Sequence, residues 1–482
     1  MNYFVNNFKQ HTLPLWNMLL RIKPKRDKRG KLKKRWYLRF FPLELFDSLK
    51  RQQLLNAGII LILLGLLTPL YLWLRNDPDS IKDPVIALAK FNAFMAITTL
   101  SINFILSTRL KIFEYLFGGL DRMIIVHKLI GRSSFLFIIL HPIFLIVSAY
   151  PNSKVILNYV LPIGPYEIAL GVISVYVFIF LITLTVAIHI PYHYWHNSHK
   201  MLGFVLIGAT IHAVYAGSDI NAFPLLKDYI IALSVIGILC WCYMLLFYKH
   251  IGPKYKVILT KVQKRDDITE LFFTKPKKFS YQPGQFVFIR FPKFKGFKEL
   301  FPFTISTDPS KEHMRLSIKQ SGDFTSEKIP RLQAGDNAVI MGPYGKFGEP
   351  YLTREKEMIW IAGGIGITPF LSLAKHESLF PTGRTIHFIW VIRNKNEAFH
   401  DKELKNESNR NEYFSYTHWF SDEKGRITAE DIIELVGGEH KLKNKLIFMC
   451  APPKMMYSLS KGFHKHGIHY RQIIFEDFNM LD

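Results

Sequence analysis

The sequence predicts a multidomain membrane protein: a six-helix transmembrane bundle, then a β-barrel, then an α/β domain. Three observations predict it. Six apolar segments of spanning length crowd into residues 54–250. After residue 252 the chain reads as short β-rich runs with turn residues, and from 355 as alternating strand and helix. Composition agrees: of 482 residues 49% are hydrophobic, yet 21% are charged, with a net charge of +24. That mixture fits neither one soluble globule nor a chain that is membrane throughout, and the apolar content excludes disorder. Three cysteines exclude a disulfide framework, a four-cysteine iron–sulfur cluster and paired CxxC zinc sites. No CxxCH is present, so covalent haem attachment is excluded too.

Residues 1–54 hold 14 Lys/Arg against three acids, Asp27, Glu44 and Asp47. Such blocks neutralise phosphates in nucleic-acid arms. Here the block lies just ahead of a long apolar segment, which predicts a cytoplasmic anchor on anionic headgroups and no nucleic-acid partner. The apolar run Leu13–Leu20 is short and precedes the basic tract, unlike a cleavable signal peptide. The spans are expected near 54–74, 85–107, 123–148, 166–189, 199–216 and 227–247. Arg109, Lys111 and Arg122 mark the link between spans two and three as inner, whereas the first outer link, with Asp77, Asp79 and Asp83, is net acidic. Both termini are therefore expected in the cytoplasm of a multi-pass protein of the plasma (cell inner) membrane. The divisions expected are 1–53 (basic region), 54–250 (bundle), 251–352 (barrel) and 353–482 (α/β).

Polar side chains inside spans are costly and mark function. Span three carries His127 and His141, and span five carries His199 and His212. Fourteen residues of helix return within roughly 40° of one face and climb about 21 Å. That suits two b-type haems stacked across a bilayer, each held by imidazoles from two helices. Both spans run outward, so His127/His199 form the expected inner pair and His141/His212 the outer. Thirteen residues in span five fall roughly 140° off face in a straight helix, so that helix must bend or the pocket must differ. His196 and His193 are rival inner ligands, and spacing leaves the choice open.

At this point residues 54–250 resemble the transmembrane domain of the ferric reductase and NADPH oxidase (NOX) superfamily. Its ligand spacings of fourteen and thirteen favour His199, and Asp121-Arg-Met-Ile-Ile-Val-His-Lys-Leu-Ile-Gly-Arg132 is similar to the start of its third helix. The resemblance implies Arg132 and Lys200 as haem-propionate partners, with snorkelling as the alternative. It also implies a basic residue near the outer haem, for which Lys90 is the candidate. Phe204, between the haem levels on span five, reads as a packing or lipid-facing residue, with assistance to electron transfer as the alternative.

The resemblance continues to the C-terminus. Phe301-Pro-Phe-Thr-Ile-Ser-Thr307 is similar to the flavin-binding strand of ferredoxin–NADP reductase-like modules, with Phe301 where the family usually has His. This implies FAD contacts at Pro302, Phe303, Thr304 and Ser306. Gly322-Asp-Phe324-Thr325 resembles the turn whose backbone N–H groups cradle the FAD pyrophosphate. Gly342-Pro-Tyr-Gly-Lys-Phe347 matches the turn ending the barrel. Gly363-Gly364-Ile-Gly366-Ile-Thr368-Pro369 follows an apolar strand and opens a helix, the geometry that admits a dinucleotide pyrophosphate. Arg393 at the end of the next strand, with no acid beside it in sequence, favours NADPH, NADH being possible. Cys450, in Cys450-Ala-Pro-Pro-Lys-Met455, is expected to line the nicotinamide site, and Phe478 to cover the flavin. Ala451 stands where the family has Gly.

The function implied is electron transfer from cytosolic NADPH through FAD and two b-type haems to an outer acceptor. Short outer loops favour oxygen, giving superoxide and hydrogen peroxide, and a ferric chelate is the alternative acceptor. A haem-binding sensor or transporter with a regulatory nucleotide domain is the rival of another class. No EF-hand, SH3 or proline-rich motif is present, so no obligate protein partner is expected.

Overall fold

A computed structural model describes residues 56–77, 81–186, 192–216, 218–294 and 300–476. The basic region 1–53 and Phe478 fall outside them. Among the described residues six helices are long and apolar enough to cross a membrane. Helix α1 (Ala57–Asn76) starts where Asn56 accepts from the Ile59 N–H, and α2 (Pro84–Leu106) where Asp83 caps and Pro84 supplies a preset φ. A short helix α3 (Lys111–Phe117) ends on Gly118, in the left-handed region at φ +75°, and α4 (Leu120–Ala149) follows. Then come α5 (Tyr166–Val186), the broken fifth span α6 (Tyr192–Lys200) and α7 (Leu202–Ala216), and α8 (Pro224–Cys242). Leu64, Leu67, Phe180 and Leu239 are more than half exposed, an outward apolar surface of the kind lipid covers.

The break at Met201 carries the bend that the thirteen-residue spacing demands. There the Met201 N–H reaches Ser198 O, and the Phe204 N–H reaches Met201 O, both at 3.0 Å. These i→i−3 bonds re-phase the helix between His199 and His212.

Six antiparallel strands follow: β1 (Lys254–Arg265), β2 (Ile268–Thr274), β3 (Phe286–Arg290), β4 (Phe301–Thr304), β5 (His313–Lys319) and β6 (Asn337–Tyr344). Their order is β4-β3-β6-β1-β2-β5. The expected barrel is a curled sheet whose edges meet at the Ile305–Leu316 bridge and the Ser306 N–H to Arg315 O bond. Strand β4 is four residues long and contains Pro302, which has no N–H to give a ladder, so it suits an edge.

The last domain is a five-stranded parallel sheet of order β11-β10-β7-β8-β9, made of β7 (Met358–Gly363), β8 (Ile386–Ile392), β9 (Phe414–Phe420), β10 (Leu446–Cys450) and β11 (Ile473–Phe475). Its strands are apolar because helices cover both faces: Trp360, Trp390, Ile447 and Phe448 are fully buried. Helices α9 (Thr368–Leu379), α10 (Asp401–Ser408) and α11 (Pro453–Lys465) connect the strands. Strand order reverses at β7, beside β10, so the ends of these two strands form the switch point where such sheets bind ligands.

The bundle and the curled sheet are joined through the inner link. The Arg109 guanidinium lies 4.3 Å from the Phe288 ring centroid, and Lys111 Nζ donates to Pro343 O. Glu114 accepts from the Gly345 N–H at 2.6 Å. Gly345 has φ +97° and a Cβ there would stand 3.0 Å from Phe286, so only glycine brings this N–H to the membrane domain.

Candidate functional site

Among the described residues no group of three or more His, Cys, Asp or Glu forms a metal centre. The histidines instead come in facing pairs. The rings of His127 and His199 are 6.2 Å apart between centroids, and those of His141 and His212 are 6.5 Å apart. Spacings of this size leave room for one metal ion between two facing imidazoles. His196 is stacked on Trp195 at 6.2 Å, and it is His199 that faces His127.

Hydrogen bonds decide which nitrogen each ring offers. Nδ1 of His127 lies 3.1 Å from Asn103 O, Nδ1 of His141 3.0 Å from Ala89 O, and Nδ1 of His212 2.7 Å from Glu167 O. A carbonyl only accepts, so each Nδ1 carries the proton and each Nε2 keeps a lone pair for a metal. His199 has a looser partner, the Thr185 hydroxyl at 3.5 Å, and stacks on Trp195 with planes 11° apart. Ala89 and Asn103 are themselves fourteen residues apart on α2, antiparallel to the fourteen between His141 and His127. Sequence reading missed these acceptors because a backbone carbonyl has no residue signature. Gly171 is the other omission: a Cβ there would meet the His212 ring at 2.6 Å.

The surroundings fit a haem. Arg132 Nη1 is buried without a hydrogen-bond partner, as are Asn92 Oδ1, Thr98 Oγ1 and Asn103 Oδ1. A buried guanidinium N–H left unpaired is costly, and a propionate would satisfy it. Lys90, expected near the outer pair, has its Nζ 4.0 Å from Asp77 Oδ2. Phe204 is 53% exposed and packs edge-on to Trp241 at 5.0 Å, on the outside of the bundle.

In the curled sheet, Pro302, Phe303 and Thr304 lie on β4, paired to β3, with Thr304 buried. Phe301 stacks face to face on Phe324, centroids 3.8 Å and planes 10° apart. The turn at Gly322 departs from expectation, because the Thr325 hydroxyl accepts from the Ser321 and Gly322 N–H groups at 2.9 and 3.0 Å. Those two donors are spent inside the turn. Ser306 departs as well: its hydroxyl accepts from Arg315 Nε at 3.1 Å and meets the Ser317 hydroxyl at 3.2 Å.

At the switch point, Gly363 and Gly366 lie against β10. A Cβ on Gly366 would come within 2.1 Å of Cys450 O, and one on Gly363 within 2.7 Å of Ala451 Cβ. Gly363 thus makes room for the methyl of Ala451. The Trp390 indole donates to Gly364 O at 3.0 Å and fixes the turn. Thr368 and Pro369 begin α9. Cys450 is buried at the end of β10. The Arg393 side chain is exposed, but an acid does reach it: Glu397 Oε1 is 4.0 Å from its Nε and 3.8 Å from Lys319 Nζ.

Glu476, two residues before Phe478, is buried, with Oε2 lacking a hydrogen-bond partner. Burial pushes its carboxyl well above the usual range, and the nearby acids Asp121 and Glu114 of the inner link push it further.

Comparison with known proteins adds three matches. Residues 92–210 match the family described as ferric reductase like transmembrane component, 252–346 an FAD-binding domain, and 360–461 an oxidoreductase NAD-binding domain. The reductase component of propane 2-monooxygenase from Rhodococcus jostii (strain RHA1) is 26% identical over 246 residues, covering 47% of this chain and 65% of that one. NADPH oxidase 1 of Mus musculus is 26% identical over 215 residues, covering 42% and 33%. The chain thus spans about two thirds or less of these relatives. A flavohemoglobin structure from Malassezia yamatoensis, with bound FAD and heme, has a TM-score of 0.46 at 17% identity, covering 83% of this chain and 97% of that one. Six apolar helices among the described residues, with the transmembrane-component match, make this chain an integral multi-pass membrane protein. It belongs to the ferric reductase and NADPH oxidase superfamily, with a ferredoxin–NADP reductase-like module after its membrane bundle.

Proposed function

We propose that this chain carries electrons from cytosolic NADPH through FAD and two b-type haems to oxygen on the opposite side of the membrane, yielding superoxide and then peroxide. One observation carries the reading: two facing imidazole pairs, fourteen residues apart on the third span and thirteen on the fifth, with Nε2 left for a metal. FAD when bound takes a hydride from NADPH and passes electrons on singly, which haem iron requires.

The chain's own residues supply place and direction. Pro302–Thr304 hold the flavin, and Gly322, Phe324 and Thr325 shape the turn beside its pyrophosphate. Gly363, Gly364 and Gly366, with Thr368 and Pro369 opening α9, admit the dinucleotide, Arg393 takes its 2′-phosphate, and Cys450 backs the nicotinamide end. Phe478 covers the flavin until the nicotinamide arrives. Lys111 and Glu114 tie the flavin sheet to the inner end of the bundle, beside the His127/His199 pair. His141 and His212 hold the second haem about 21 Å further along the helix. No side chain is needed as an acid or base. The basic inner link sets both termini in the cytoplasm.

An anaerobic visible spectrum of the FAD-loaded protein, before and after NADPH, tests this. Reduction of b-type haem at about two per chain is the expected result. Haem that responds to dithionite and not to NADPH would return the sensor reading. Supplying oxygen or a ferric chelate to the reduced protein then separates the two acceptors.

A further inference from the structure

A cleft of about 530 Å³ opens between the flavin sheet and the α/β domain, and shares no lining residue with the Gly363–Gly366 turn, Arg393 or Cys450. Its floor is a charge network that crosses the two domains. The Arg315 guanidinium of β5 donates to both oxygens of Glu403 on α10, at 2.9 and 3.0 Å, and approaches Glu270 of β2 at 3.6 Å. His400 is 4% exposed; its Nδ1 meets Glu403 at 3.0 Å. Its Nε2 is buried 3.5 Å from Glu270 Oε1 without a hydrogen-bond partner.

The remaining acids of the lining are engaged. Glu407 receives Lys375 at 2.7 Å and Arg410 at 3.6 Å, and Asp308 is bound to His376 at 2.7 Å. Six Lys/Arg line the cleft against four Asp/Glu, an excess of two. Three of the six, Arg265 and Lys311 of the flavin sheet domain and Lys402 of α10, make no ion pair among the described residues, and Arg265 gives Nη1 to Phe399 O. Two lysines from different domains therefore line one cavity and are left without a carboxylate partner among the described residues.

We propose that this cleft is an accessory anion site for a small phosphate-bearing solute of more than one negative charge, separate from the dinucleotide site. A single-charge carboxylate would leave one lysine unanswered, whereas a polyphosphate neutralises both. Because Lys311 and Lys402 belong to different domains, an anion there braces the flavin sheet against the α/β domain.

The test is calorimetric titration of inorganic pyrophosphate into the full-length, cofactor-loaded protein held at saturating NADP⁺. That blocks the Gly363–Gly366 turn, so binding of pyrophosphate at 1:1 is expected to persist and to weaken with added salt. The double variant K311E/K402E is expected to bind at least about 10-fold more weakly, and R393A to bind as the wild type does. Lys402 is exposed and Lys311 half-buried, and neither makes an ion pair among the described residues, so the fold is expected to tolerate both changes. Displacement of pyrophosphate by NADP⁺, undiminished affinity in K311E/K402E, or no binding at millimolar concentration would each overturn the proposal.

Discussion

In the membrane bundle, side chains define the site and backbone orients them: four imidazoles project into the core, and the carbonyls of Ala89, Asn103 and Glu167 set three of their tautomers. In the soluble half the relation is inverted. Backbone defines the site, at Gly363, Gly366 and the edge strand β4, while side chains such as Trp390 and Thr325 hold the backbone in shape. The cause is the surrounding medium. In lipid every backbone group is already bonded within a helix, so only side chains are left to do chemistry. In water, loops can leave N–H groups and open turns for a phosphate.

Removing a ligand in the bundle tests the first half of this contrast with the largest effect. His141→Ala or His212→Ala should remove one haem of two and lower electron delivery across the membrane by at least about 100-fold, near 2.7 kcal/mol of barrier. NADPH-driven reduction of a dye by the flavin should be untouched. Haem content and dye reduction measured side by side decide it, and two haems remaining in both variants would sink the pairing.

The backbone half has its counterpart in Gly366→Ala. One methyl would stand 2.1 Å from Cys450 O, so the turn or the end of β10 must move. The expected loss is about 10–100-fold in kcat/KM for NADPH, or about 1.4–2.8 kcal/mol, with haem content and its dithionite spectrum unchanged. Stopped-flow reduction of the flavin is the measurement. A wild-type rate would show that side chains, not the glycine turn, define this site.

These two halves differ in the same way in how they read from sequence. The four histidines stood out because a polar residue in an apolar run is conspicuous, and the thirteen-residue spacing left a bend or a different pocket open, of which a break is seen at Met201. The carbonyl partners and Gly171 did not, since nothing in a helix's composition says which neighbour it faces. Ser306 read as a flavin contact because its motif is local. Its hydroxyl is engaged by Arg315, nine residues on, which in turn reaches Glu403 across a domain boundary. Likewise no acid stood beside Arg393 in the expected strand end, yet Glu397 folds back to it through one short turn. Side-chain networks assembled from distant strands are the least legible feature of this chain.

The Arg315–Glu403 pair gives a smaller and pH-dependent effect. Burial raises the Glu403 carboxyl, but the His400 hydrogen bond and Arg315 outweigh it and bring it to about 2. The carboxylate's contribution is therefore complete above the ordinary value of 4.5 and is lost as pH falls toward 2. With the side chain one-third exposed, about 1–2 kcal/mol is the expected size after screening. Glu403→Gln should lower the unfolding temperature of the soluble half at pH 7 and flatten its decline between pH 5 and 3. An unchanged pH slope would place the acid sensitivity elsewhere.

The smallest effect is expected at Phe204, and it bears on whether depth alone identifies a functional residue in the bundle. Phe204 lies at the level between the two histidine pairs, which by position suggests a stepping stone for electrons. Its ring is 53% exposed and meets Trp241 edge-on, while Trp241 donates to Lys200 O at 2.7 Å and fills the space over Gly203. The ring therefore belongs to the seam between α7 and α8 on the lipid side, and electrons moving between the haems would not pass it. Phe204→Leu keeps an apolar side chain on that face and should leave the rate of haem-to-haem transfer within about twofold, under 0.5 kcal/mol, when followed by flash-induced absorbance. A tenfold slowing would mean that depth outranks the direction a side chain faces, and would draw Phe204 into the electron path.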